Sequence, residues 1–496
     1  MTLSRETLCF ERLALSRQEQ VSVEGEATLP GSMRDAVTVL SVQAQAYLED
    51  AQAVAGGIAL RGHVSFQTLY TQGDLTRIRA LETTCDFEHN VDAAEVTPDM
   101  RVSASVAVQE TEGAAASGRM TLGALLDIQT EAFETTRREL ATGAASEENN
   151  LRTRMQSVTF CRTSPLGEDK TLVREEFDLP ARLEVGDVLS ATGDAAVADL
   201  TGGAGRVGVS GTVEVRVLHR PLEAGNPLVV TSHEMPFELS IDTQIPDGAQ
   251  LRAEAEAIDV MADSIADDKQ RTLRVEAEVR VRLSCCVQEE KQLLEDVYSL
   301  SGDEVIPQTE TFDIHAFEES ADVRESTRLQ VTLPKDAPPI GTMLAAFAQP
   351  TITAVSPSGR RMNAEGVMAV TLIYLPMDSD IPMAVRSREP FEMTFPTEAT
   401  EDARVQAHVI EATPGSATSD RAEVRCVVAL HVVKHGVRPL EAITDAEERP
   451  SAKQERGFVL VWPAKGETRW QTARRLRVAE EELHPAGKDA LLAFHK

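Results

Sequence analysis

The sequence predicts a mainly β protein, built from three repeated β-sandwich-like modules and a small C-terminal β-α-α-β domain. Three observations carry this. A set of landmark residues recurs three times in the same order, the segments between them alternate apolar and polar residues, and the pattern changes after Gly457.

The landmarks start from three Leu-Pro pairs, Leu29-Pro30, Leu179-Pro180 and Leu333-Pro334. Upstream of each lies a phenylalanine: Phe10, Phe160 and Phe312. Downstream come a glycine (Gly62, Gly211, Gly366), an aromatic or histidine (Tyr70, His219, Tyr374) and a Phe-Glu pair (Phe87, Phe237 and Phe391 with the glutamate that follows). Each landmark alone is weak. The shared order and spacing argue for three copies, with the three phenylalanines of the Phe-Glu pairs at equivalent sites.

The intervening segments read as strands. Leu273, Val275, Ala277, Val279, Val281 and Leu283 alternate with Arg274, Glu276, Glu278, Arg280 and Arg282, one apolar face and one charged face. Met120 to Ile128 and Val424 to Val432 repeat the pattern, and turn-type residues such as Thr201 to Gly205 and Ser356 to Gly359 punctuate it. The polar stretches Gly143–Asn150 and Thr444–Gly457 read as linkers, giving modules at 1–142, 151–296, 297–448 and 457–496.

In the last module, Gly457 to Trp462 predicts a strand and Lys465 to Gln471 the entry to a helix, with Thr468 and Gln471 placed to form a capping box. Trp470, Ala473 and Leu476 share one helix face. Val478 to Leu483 predicts a second short helix and Ala490 to Phe494 a closing strand. In so small a unit Trp470 is expected to fill the core.

Length and charge bound the function. A chain of 496 residues is too long for one core, and 42% hydrophobic content is enough for several. A net charge of −31 repels nucleic acid and anionic lipid. The segment from Lys453 to Lys496 nevertheless holds nine Lys and Arg against six Asp and Glu, so a basic module closes an acidic body. Lys465, Arg469, Arg474, Arg475 and Arg477 flank Trp470 and form the candidate surface for electrostatic docking. The opening MTLSRETLCFERLAL is interrupted by charges and has no signal-peptide core, and no run is long enough for a membrane span, so a reducing cytoplasmic setting is expected.

No catalytic constellation, cofactor motif or metal site is read, and an enzyme is not expected. Gly202 to Gly208 lacks the lysine of a P-loop and reads as a hairpin turn. His431 and His435 have a helical zinc spacing but sit in a strand pattern. Cys285-Cys286 straddles a strand, with one thiol expected inward and one outward.

Two resemblances sharpen the expectation. The run GETRWQTARRLRVAEEEL resembles a LysM domain, matching at Gly466, Glu467, Thr468, Arg469, Trp470, Ala473, Val478 and Leu483. It departs at Glu467 and Arg469, where aspartate and leucine are usual, and at His484-Pro485, where an asparagine is expected. LysM modules commonly bind N-acetylglucosamine polymers through the two strand–helix loops, and these departures fall in or beside those loops. Upstream, Val23-Glu24-Gly25-Glu26 leading to Leu29-Pro30, Gly62 to Tyr70, and the Phe-Glu element resemble the SPOCS domain of spore-coat-associated proteins. Several SPOCS-type modules with one terminal LysM is the layout of the SipL-like family. The resemblance implies a mother-cell factor at the forespore surface that docks a SpoIVA-like coat morphogenetic ATPase through its LysM module, at Lys465 to Trp470, Arg474, Arg475 and Arg477. A peptidoglycan-binding envelope protein is the competing reading.

Overall fold

The computed structural model describes residues 1–496 except 30–36, 73–76, 149, 181–183, 204, 223–227, 266–270, 302, 360, 396–402, 452–456, 488–489 and 496. Pro30 of the first Leu-Pro pair, Ala204 of the predicted turn and part of each predicted linker lie outside the described residues, as do the His435 and Phe494 side chains. Almost every described residue before 450 is in a strand, in agreement with the mainly β class.

The first module contains β1 (Thr2–Thr28), β2 (Val37–Val54), β3 (Gly57–Gln72), β4 (Arg79–Asp92), β5 (Arg101–Ala116) and β6 (Arg119–Ala145). The second contains β7 (Leu151–Asp178), β8 (Val185–Gly203), β9 (Arg206–Pro221), β10 (Val229–Asp242), β11 (Gln250–Ile265) and β12 (Thr272–Ser299). The third contains β13 (Glu304–Thr332), β14 (Ile340–Ser358), β15 (Arg361–Pro376), β16 (Met383–Phe395), β17 (Ala403–Ala417) and β18 (Arg421–Arg449). Each forms two three-stranded antiparallel sheets with the same order: β1-β6-β5 with β2-β3-β4, β7-β12-β11 with β8-β9-β10, and β13-β18-β17 with β14-β15-β16. The alternating apolar residues of β6, β12 and β18 face their module's core and are buried, as are Val64, Val213 and Met368 on the opposing sheet.

The landmarks have physical reasons. Gly62, Gly211 and Gly366 are the register partners of Phe87, Phe237 and Phe391, and each ring lies against its glycine. A Cβ on Gly211 would collide with both the Ala196 carbonyl and the Phe237 ring. Gly211→Ala is therefore expected to cost about 1–3 kcal/mol or more through overpacking, read as a lower urea midpoint. An unchanged midpoint would mean that the ring is free to move away. Leu29, Leu179 and Leu333 close the cores, and their N–H groups donate to Gly118, Arg271 and Asp420 at the hairpin before each last strand.

Six strands outrun their sandwiches. β1, β6, β7, β12, β13 and β18 are 27 to 29 residues long, and beyond the third strand of each sheet they continue as two-stranded ribbons. The three ribbons pack together around Phe10, Phe160 and Phe312, with Phe10 5.2 Å from Phe160 and 5.3 Å from Phe312 between ring centroids. Leu8, Leu140, Val158, Leu293, Ile314 and Leu440 surround the rings. A second three-way contact joins Leu40, Leu69, Leu189, Leu218, Leu344 and Ile373 of the other sheets. The three modules therefore pack around a common axis. A cavity of about 1900 Å³ is lined by β2, β5, β8, β11, β14 and β17.

The ribbons change several sequence expectations. β6 runs to Ala145 and β18 to Arg449, so strand occupies the starts of both predicted linkers. Pairing with Thr2–Ser4 and with Glu304–Gln308 satisfies their backbone groups. The predicted boundary between 296 and 297 falls inside β12. Cys285 and Cys286 are both buried, because this part of β12 is covered on both faces.

The last module departs from β-α-α-β. It contains β19 (Gly457–Val461), α1 (Arg469–Leu476), one 3₁₀ turn (Glu480–Glu482), β20 (His484–Gly487) and β21 (Ala490–His495), with sheet order β19-β21-β20. The predicted second helix is reduced to that turn: Arg477, with φ 53°, ends α1 in the left-handed region, and the chain then runs extended into Glu480–Glu482.

Candidate docking surface on the C-terminal module

Helix α1 is fixed locally by its entry. Gly466, at φ 86°, makes the turn that leads into α1, closed by the Glu467 N–H donating to the Ala464 carbonyl. The Gln471 N–H donates to Thr468 Oγ1 at 3.2 Å, and the Thr468 N–H donates to Gln471 Oε1 at 2.8 Å, completing the capping box. Glu467 accepts the Ala464 N–H at 2.8 Å and pairs with Arg475 at 2.9 Å. Hydrogen bonding to Arg475 holds the Glu467 carboxyl below its ordinary range.

The helix packs onto the second module. The Trp470 indole N–H donates to Asp296 at 2.7 Å, and Arg474 pairs with the same carboxylate at 2.9 Å. Trp470 meets the Tyr298 ring edge-on, with centroids 5.0 Å apart. The Tyr298 hydroxyl donates to the Val478 carbonyl at 2.8 Å, and burial pushes its pKa up to about 12. Arg477 donates to the Ser299 carbonyl at 3.0 Å and to its hydroxyl at 2.7 Å. Tyr298 joins Ala473, Val478, Leu483 and Ala493 in one core. A unit of this size cannot bury enough apolar surface alone, and a tyrosine of β12 completes it.

The predicted docking residues thus have distinct positions. Trp470, Arg474 and Arg477 hold the module to β12, and Trp470 also packs against the small core that Tyr298 completes. Arg469 ties the 3₁₀ turn through the carbonyls of Glu480 and Leu483. Glu467 and Arg475 pair with each other, Gly466 and Thr468 shape the helix entry, and Lys465 is exposed. Of the basic residues read as a docking face, Arg474 and Arg477 meet Asp296 and Ser299 at the end of β12, Arg469 and Arg475 find partners within the module, and Lys465 is exposed.

The outward feature is apolar. Phe458, Leu460 and Trp462 are 71%, 48% and 62% exposed, on alternate residues at the edge strand β19. Val459, between them, packs toward the core. Leu492 of β21 is the register partner of Leu460 and continues the same sheet face. A strand that is apolar on both faces was the available signal: one face serves the core and the other lies outward.

Elsewhere, His431 pairs with Asp322 at 2.7 Å, and this hydrogen bond raises the imidazole's pKa and lowers the carboxyl's. Among the described residues no helix is long and apolar enough to cross a membrane. No curated protein and no solved structure matches the chain. Residues 35–113, which contain β2, β3, β4 and most of β5 together with the Gly62–Phe87 pair, match the family model described as SipL, SPOCS domain. That match supports a SipL-like family and a sporulation-related role in protein interaction.

Proposed function

We propose that the chain is a non-enzymatic assembly factor of the spore coat, in which three SPOCS-type repeats form a rigid body and present a LysM-type module to a SpoIVA-like coat morphogenetic ATPase. It acts in the mother-cell cytoplasm at the forespore surface. The observation that carries this reading is the apolar row Phe458, Leu460 and Trp462 at β19, exposed on a module whose basic helix is engaged with the body. Exposed aromatic and aliphatic clusters of this kind mark protein contacts more often than solvated surface. The SPOCS match supports the choice of partner.

Surface plasmon resonance with the full chain tests it. Phe458→Ser with Trp462→Ser is expected to weaken capture by a SpoIVA-like ATPase by about 2 kcal/mol or more, roughly thirtyfold. Arg475→Glu should change it little. The wild-type on-rate should depend only weakly on salt, since an apolar contact is not screened. Unaltered capture by the double variant, or capture of peptidoglycan in place of the ATPase, would overturn the assignment.

A further inference from the structure

Cys161 of β7 and Cys286 of β12 bring their sulfurs to 2.6 Å, and both side chains are fully buried. The register explains the meeting. Thr163 is the partner of Cys286 and Gln288 that of Cys161, so the cysteines lie diagonally across one strand pair. Residues two apart on a strand share a face, which puts Cys161 on the same side as Thr163 and therefore as Cys286. The neighbouring Cys285 is paired with Ser164 and belongs to the opposite face.

We infer that Cys161 and Cys286 are a disulfide-forming pair that cross-links the two strands of the second ribbon. The two sulfurs, 2.6 Å apart on antiparallel neighbours whose backbones are already held together, lie close to the ~2.0 Å of an S–S bond. The link acts on the same ribbon that carries Phe160 into the central contact and ends at Asp296 and Tyr298, the seat of the last module. Closing it ties the two strands of that ribbon together beside Phe160.

The oxidant is a low-molecular-weight disulfide of the glutathione class, acting before the three ribbons close over the site. One cysteine, as thiolate, attacks a sulfur of the small disulfide and expels one small thiolate. The second cysteine thiolate attacks the protein sulfur of the mixed disulfide and expels the other. Both cysteine S–H bonds are lost, one S–S bond forms, and the two protons end on the two small thiols released. The cysteines are oxidised and the small disulfide is reduced.

The test refolds the full chain in buffers of stepped reduced-to-oxidised glutathione ratio, then unfolds it in acid and counts free thiols by maleimide mass shift. The chain has six cysteines. At the oxidised end the count should fall by two, and peptide mapping should join the segment holding Cys161 to that holding Cys286. The loss should persist in Cys285→Ala and vanish in Cys286→Ala. The thermal midpoint of the wild type should rise on oxidation and return with reductant. A full thiol count at every ratio would overturn the inference, as would a link that survives in Cys286→Ala. The wild-type count needs no variant to fold.

Discussion

Glu11→Ala is expected to cost about 3–5 kcal/mol of stability, more than any surface substitution in this chain. Glu11 is 2% exposed and receives Arg101 through two hydrogen bonds of 2.9 and 3.1 Å. It also lies 3.5 Å from His315 Nδ1 and accepts the Thr163 N–H at 3.3 Å. One carboxylate of β1 thus touches side chain or backbone from all three modules. Arg101 in turn lies 4.0 Å over the Phe133 ring, so removing the carboxylate takes two charge-assisted hydrogen bonds from a guanidinium packed in the interior. Burial alone would raise the Glu11 pKa, but the His315 and Arg101 contacts, with the Thr163 N–H, outweigh it and hold the carboxyl below its ordinary value. The sign follows: this stabilisation is fully present above the unfolded carboxyl's pKa and is lost as pH falls through the lower folded value. Urea unfolding by circular dichroism should show the wild type losing stability on acidification below about pH 4.5, with Glu11→Gln losing less. Equal midpoints for Glu11→Ala and wild type at pH 7 would show that these Glu11 contacts contribute little to stability.

Phe10→Ala is the second large effect, about 3–5 kcal/mol, because truncation leaves a cavity bounded by Phe160, Phe312, Leu140 and Leu293 that the ribbons cannot collapse to fill. The loss should fall on the contact among modules rather than within one sandwich. Limited proteolysis is expected to cut the ribbons before the sandwiches in this variant. Cleavage at the wild-type rate and order would show that the ring contact contributes little.

The three phenylalanines were legible as a repeated position but not as a meeting point. Each local segment reads the same, and only the packing of three ribbons brings the rings within 5.3 Å. The Gly–Phe pairs were likewise legible as two separate landmarks. Their reason, a ring lying on a glycine, appears once the register sets Gly211 opposite Phe237. Strand length was missed for a related cause. Polar runs such as Gly143 to Asn150 look like loops when read alone, yet a partner strand satisfies the backbone as far as Ala145. At the candidate site, charge counting recognised a basic module on an acidic body but could not see that Asp296 stands opposite Arg474. The capping box of α1 was readable because it is wholly local.

The central contact also bears on how the chain is made. Thr2 pairs with Ala145, Leu151 with Ser299 and Glu304 with Arg449, so each sandwich closes only after its last strand has been synthesised. Pairing over such sequence separation is slow. When the first module has closed, Phe10 and its apolar ribbon face still lack the neighbours that will cover them. A truncated product ending after one or two modules would carry that sticky face into solution. Nascent chains of this protein are therefore natural clients for chaperones until the third ribbon arrives, and single modules cut out for expression should be prone to self-association.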